Sequence, residues 1–367
     1  MRGFGRIARA GQEPRSLIGS RGSAPRGLLR MAPALAVAIL VLALFPASAM
    51  ADGSATQFLV AGLPEVTAGD TNPFTVTAAD SGGVTDTSYT GTVAITCSDL
   101  GVGVSCPTPL VPADFTLGVA TVNVKFVTAG PQTISADDGS ISGTSDPITV
   151  DPAGIHDFAV GAVGSQTAGV AFSVTATAED QYGNTVTSYT GTPTLSNNFG
   201  STGGAPVAGT FTAFVAGVGT SSGTKDLTAE TGRTVTVTDS TTTGTSNTFT
   251  VGPNVLDHFG INAIGSQSAG TPFAVTAKAE DLYNNTVTSY TGTPVLTNSF
   301  SSTGGSPVAG TFTPFVLGVG TSSGTTDFTA ETLRTVTVTG GGKAGTSNTF
   351  TVAPAATSAS AAPRSRR

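Results

Sequence analysis

The chain has 367 residues, of which only 11% are charged, with no Trp and 48 Gly. Its first 51 residues hold seven Arg and one acid, and the remainder carries nine basic and 22 acidic residues, a net charge of −13. So acidic a body repels phosphate backbones and anionic lipid, which argues against nucleic-acid binding and against docking on a membrane surface.

The first element is a leader. An Arg-bearing stretch reaches Arg30, twelve apolar residues run from Ala34 to Phe45, and a small-residue site follows at Ala47-Ser48-Ala49 or Ala49-Met50-Ala51. This is the three-part pattern of a secretory signal, and its apolar run falls short of the about 20 residues of a spanning helix. The expectation is a cleaved signal peptide over 1–51, with an uncleaved anchor as the alternative and Met1 or Met31 as the start. No later segment is apolar enough to cross a bilayer, so the mature chain is expected to be secreted, extracellular or at the cell surface.

Beyond the leader the chain repeats itself. Phe158 to Val251 aligns with Phe259 to Val352 without a gap, at an offset of 101 residues, and 68 of the 94 positions are identical. Phe58 to Val150 is a more diverged first copy. Ser88-Tyr89-Thr90-Gly91-Thr92 returns at 188–192 and 289–293, and Gly143-Thr144-Ser145 returns at 244–246 and 345–347. A period near one hundred residues suits one autonomous domain rather than one coil of a solenoid.

Inside each copy the period is two. Val122-Asn123-Val124-Lys125-Phe126, the run Phe172 to Ala178, and Thr234-Val235-Thr236-Val237-Thr238 alternate apolar with hydrophilic side chains. Such runs are strands with one buried and one wet face, typical of antiparallel sheets. Thr suits the wet face because its β-branch favours extended backbone. Six to eight short strands per copy, with no helical period, bury their faces on each other in a two-sheet sandwich. The fold class is therefore all-β: three tandem β-sandwich domains after a signal peptide. The boundaries are 52–152, 153–253 and 254–354, with a disordered tail over 355–367. The joints Val150 to Gly154 and Val251 to Asn254 are short, Pro limiting and Gly restoring freedom of swing, so a monomer of extended shape is expected.

Several residues invite a chemical reading. Cys97 and Cys106 are the only cysteines. In an oxidising compartment they read as a disulfide stapling a short loop, with free thiols or metal ligation as alternatives. His156 and His258 precede the first strands of copies two and three at positions differing by one residue, which aims them oppositely and makes them surface side chains. Glu179, Asp180 and Asn184, repeated as Glu280, Asp281 and Asn285, read as turn residues bonding nearby backbone N–H groups. Oxygen-rich groups of this kind also suit Ca²⁺, which is the second reading. Tyr89, Tyr189 and Tyr290 read as packing residues with the hydroxyl bonded to backbone, or as a stacking platform for a ligand. With two histidines and adjacent carboxylates that face opposite ways, no catalytic residue, cofactor or enzyme activity is expected.

The later copies resemble the bacterial immunoglobulin-like repeats of surface and secreted proteins, distantly similar to invasin-type and filamin-type modules. The resemblance is carried by Leu256-Asp257-His258-Phe259, by Gly265 to Gly270, by the turn Ala279-Glu280-Asp281-Leu282-Tyr283-Asn284-Asn285-Thr286-Val287, and by Ser289 to Thr293 and Gly345 to Phe350. The second copy has Asp180-Gln181-Tyr182-Gly183-Asn184 in that turn, whereas the first departs, with Asp80-Ser81-Gly82-Gly83-Val84. The resemblance implies a structural or spacer protein with weak multivalent adhesion. The other reading is a module binding an extracellular protein or glycan through loops at one end of the sandwiches.

Overall fold

A computed structural model describes residues Gly53 to Ala356, so the leader and nearly all of the tail lie outside the described residues. Those residues are nearly all strand, loop and turn, with one short 3-10 turn at Pro112–Asp114 and no α-helix.

Each copy is a sandwich. In the second, one sheet orders Asp157–Val160, Thr175–Glu179, Val218–Ser222 and Thr210–Phe211, all antiparallel. The facing layer contains Thr194–Asn197, Val235–Asp239 and Thr242–Thr245, and beside them Gln166–Thr167, Phe249–Gly252 and Glu230–Arg233. The third copy repeats this order strand for strand, and the first does so without the short strand that Thr210–Phe211 supplies.

Alternation decides what is buried. In Thr71–Ala79, Phe74, Val76 and Ala78 point inward while Thr75 and Thr77 point outward. Val235 and Val237 are fully buried between Thr neighbours in the same way. Removing each such Val from water contributes about 1.5–3 kcal/mol. Three core clusters result, centred on Phe58, Phe158 and Phe259, each drawn from one copy and rimmed in the first two by a tyrosine of the next.

Two expectations need correction. The sheets are not wholly antiparallel: Glu65–Thr67 pairs parallel with Ile148–Asp151, Gln166–Thr167 with Phe249–Gly252, and Gln267–Ser268 with Phe350–Ala353. The first strand of each copy crosses from one sheet to the other, and its second half lands beside the last strand running the same way. The strands also number nine in the first copy and ten in each of the others, among the described residues, rather than six to eight. Crossing divides the first strand, and single residues such as Thr133 and Thr234 divide another.

The recurring Gly-Thr-Ser motif has a local cause at each position. A Cβ at Gly143, Gly244 or Gly345 would overlap the carbonyl of Phe58, Phe158 or Phe259 in the opposite sheet. The following Thr pairs its hydroxyl with the neighbouring strand, as Thr245 does with Thr236 at 3.0 Å. The Ser hydroxyl accepts from a buried amide, Ser246 from Val235 at 3.1 Å.

Candidate functional site at the joints between copies

The acidic turns lie where one copy meets the next. Asp180 is 2% exposed, and its carboxylate accepts four N–H groups. Oδ1 takes the amides of Tyr182 and Asn184, both at 2.9 Å. Oδ2 takes the Ala153 amide of the linker at 2.9 Å and the Asn184 side-chain amide at 2.8 Å. Burial alone would raise the Asp180 carboxyl, but the Asn184 side chain and these backbone amides outweigh it and hold the carboxyl below its usual range.

Asn184, so oriented, reaches back into the first copy. Its Nδ2 donates to the Val127 carbonyl at 2.8 Å, and its Oδ1 accepts from the Ala129 amide at 2.8 Å. The second joint has the same parts. Asn285 donates to the Leu227 carbonyl and accepts from the Ala229 amide, both at 2.8 Å. Asp281 accepts the linker amide of Asn254 at 2.8 Å, and the Asn254 side chain donates to the Ala168 carbonyl at 2.9 Å.

The tyrosine of the turn completes each joint. Tyr182 packs against the first core and Tyr283 against the second. Each ring covers a left-handed glycine of the preceding copy, Gly69 at φ +89° and Gly169 at φ +78°, where a Cβ would overlap the ring. The linkers are therefore fastened on both sides, and the swing expected of their glycines is opposed by these bonds. In the first copy Asp80 holds the same turn through the amides of Gly82 and Val84, at 2.8 and 2.9 Å, but carries neither Tyr nor Asn. Its departure from the motif removes the two side chains that face a preceding copy and leaves the turn intact.

The remaining candidates stand apart from the joints. Glu179 lies opposite Asp157 across the strand pair, and burial, then Asp157, then Asp180 raise its carboxyl. At the matching place in the third copy His258 faces Glu280 at 3.2 Å. His156 is an exposed side chain 3.5 Å from Asp157. Among the described residues no three His, Cys, Asp or Glu side chains converge on a point that would hold a metal ion. Cys97 and Cys106 form the disulfide of the first copy.

The tyrosines pack edge-on against Phe58, Phe158 and Phe259. Their hydroxyls do not reach backbone as expected: Tyr89 donates to Asp138 at 2.7 Å and Tyr189 to Asp239 at 2.6 Å. A carboxylate stands where a backbone carbonyl was expected because the adjoining hairpin ends in Asp in both copies. Burial, then the carboxylate, pushes both phenols well above their usual range.

Asp226 and Asp327 escape sequence reasoning. Each is 1% exposed, Oδ1 accepts the amide two residues on at 2.8 Å, and Oδ2 has no hydrogen-bond partner among the described residues. Burial raises both carboxyls, with Glu230 or Glu331 adding to it. The available signal was the first copy, which places Phe126 at the position of Asp226, on an inward-facing site.

The sequence matches no protein-family model and no curated protein. Among solved structures, the chain is similar to invasin, a bacterial integrin-binding protein, at 16% identity and a TM-score of 0.33, over 81% of this chain and 60% of that one. It is also similar to domains 4–9 of the surface layer protein SbsC, at 16% identity and a TM-score of 0.25, over 83% of this chain and 48% of that one. A three-immunoglobulin-domain segment of titin matches at 10% identity and a TM-score of 0.26, over 83% of this chain and all of that one. The chain thus spans about 60% of the invasin structure and about half of the SbsC segment. On its own strand order, with a first strand shared between two facing sheets, the chain is an array of immunoglobulin-like β-sandwich repeats.

Proposed function

We propose that the chain is a secreted or cell-surface structural and spacer protein, without catalytic activity, whose repeats at 52–152, 153–253 and 254–354 follow a cleaved leader. The observation that carries this reading is the paired grip of Asn184 and Asn285 on the backbone of the preceding copy. A binding module needs loops that face outward, whereas these turns spend their polar atoms on fixing one repeat to the next. A chain so jointed holds its ends apart and presents near-identical surfaces at a regular spacing, which suits weak multivalent adhesion.

Small-angle scattering from residues 52–367 tests the spacer role. The expected result is a single elongated distance distribution that broadens in the N184A/N285A variant. A wild-type distribution as broad as the variant's, or a collapsed particle, would sink the reading. Fractionation of the producing cell tests export: the chain is expected outside the cytoplasm, and retention within it contradicts the leader.

A further inference from the structure

The third copy repeats, at its far end, the backbone on which Tyr182 and Tyr283 sit. Ala68, Ala168 and Ala269 each donate to the carbonyl of the last strand at 2.8 Å. Gly69, Gly169 and Gly270 each donate, at 2.7 Å, to the carbonyl of residue 126, 226 or 327. Gly270 has φ +76°, matching its two counterparts. The surface is therefore preformed in all three copies.

What differs is the cover. Ala68 and Ala168 are buried at 3% and 0% exposure beneath the tyrosine of the next copy, whereas Ala269 is only half-buried. Leu227, whose carbonyl holds Asn285, is half-buried, while Phe328 in its place is 41% exposed. A Cβ built at Gly270 would meet only the Phe328 ring, at 4.0 Å, rather than a tyrosine. The Ala330 amide and Phe328 carbonyl, counterparts of the two groups gripped by Asn285, have no partner among the described residues.

We infer that the end of the third copy formed by Ala269, Gly270, Gly304, Phe328 and Ala330 is a docking surface for a further β-sandwich repeat that presents an Asp-x-Tyr-x-Asn turn. The occupant is specified by the chain's own joints: this backbone is covered twice, each time by that turn, with Tyr over the glycine and Asn across the Ala amide and the preceding carbonyl. An aromatic ring at 328 enlarges the apolar contact that the turn's Tyr would meet. A second copy of this chain is not the occupant, because the turns at 180–184 and 281–285 are engaged and the first copy has Gly82 and Val84 in place of Tyr and Asn. The inference is independent of the spacer reading, which concerns the two joints within the chain.

The first copy offers the test. Its turn already has the required backbone, with Gly82 and Val84 donating to Asp80 as Tyr182 and Asn184 donate to Asp180. Converting Gly82→Tyr and Val84→Asn in the full mature chain creates the missing donor. Analytical ultracentrifugation is expected to show a mass rising with concentration to at least twice that of the wild-type chain. Adding Phe328→Asp to that variant is expected to restore the wild-type mass. A folded double variant, checked by circular dichroism, that sediments as wild type overturns the inference, as does association that survives Phe328→Asp. Should the double variant fail to fold, a fusion in which residues 253–353 are repeated after Ala353 replaces it. Hydrogen exchange at the Ala330 amide is then expected to slow to the rate of Ala229, and an unchanged rate overturns the inference.

Discussion

The Tyr189 hydroxyl donates to the Asp239 carboxylate at 2.6 Å, and the equivalent Tyr290 stands beside Gly340 with no carboxylate among the described residues to meet. Hydrogen bonds to charged groups contribute about 1.5–3 kcal/mol, so Tyr189→Phe is expected to destabilise the second copy by about that much. Tyr290→Phe removes a hydroxyl without such a partner and is expected to cost well under about 1 kcal/mol. Chemical denaturation of the two variants checks the difference; equal losses would show that the ring contacts, not the carboxylate, fix these tyrosines.

Replacing Asn285 by Ala strips two hydrogen bonds from the second joint and leaves Asp281 without its side-chain donor. A loss of about 1–3 kcal/mol is expected, because the half-buried Leu227 carbonyl and Ala229 amide are left unpaired. The signature is local: the Ala229 amide should exchange faster while core amides such as Val237 keep their protection. Asn184→Ala should do the same to Ala129.

Calcium is expected to leave melting unchanged at millimolar concentration. Both oxygens of Asp180 already accept N–H groups, and the same holds for Asp281. A cation wants six to eight oxygens about it, and donor hydrogens occupy the approach. A clear upward shift of the melting temperature with added Ca²⁺ would contradict this geometry.

Two groups of carboxyls respond to pH in opposite senses. Asp180 is held below its usual value, so its contribution is present above the unfolded value, near about 3.9, and is lost as pH falls through the lower folded one. Asp226 and Asp327 are raised by burial, so theirs is present below the unfolded value and is lost as pH rises through the higher folded one. Asp226→Asn, neutral throughout, is expected to lose less stability than the wild type as pH rises above about 4. Urea midpoints measured across pH check this, and identical profiles for the two proteins would refute the buried acid.

Reduction of the Cys97–Cys106 bridge should weaken the first copy alone. Closing a loop with a sequence separation of 9 contributes about 2–3 kcal/mol on the chain-entropy account. Under reductant the first unfolding transition is expected to move down while transitions of the other copies stay in place. Reduction that shifts every transition equally would mean that the copies unfold as one.

The sandwich was legible because Val and Phe alternate with Thr, and because a second copy of nearly the same text marked its own length. The acidic turns were legible as turns, since Asp180 and Asn184 have the spacing at which a carboxylate reaches amides two and four residues on. Their reach into the neighbouring copy was not, because Val127 and Ala129 offer backbone atoms, which have no sequence signature. The parallel pairing of the divided first strand was hidden for a similar reason: period-two alternation gives the face of a side chain but not the direction of the partner strand. Asp226 and Asp327 went unseen because a carboxylate inside an alternating run reads as wet, and only three-dimensional packing makes it dry.

The parallel strand at the start of each copy bears on how the chain responds to pulling. Gln166–Thr167 enters a copy alongside Phe249–Gly252, which leaves it in the same direction. Tension drawing the two termini apart pulls these segments past each other, so their backbone bonds are loaded together, in shear, and cannot open one at a time as in an unzipping hairpin. Glu65–Thr67 with Ile148–Asp151 and Gln267–Ser268 with Phe350–Ala353 are loaded alike. Each repeat thus carries its own mechanical clamp in series with the next.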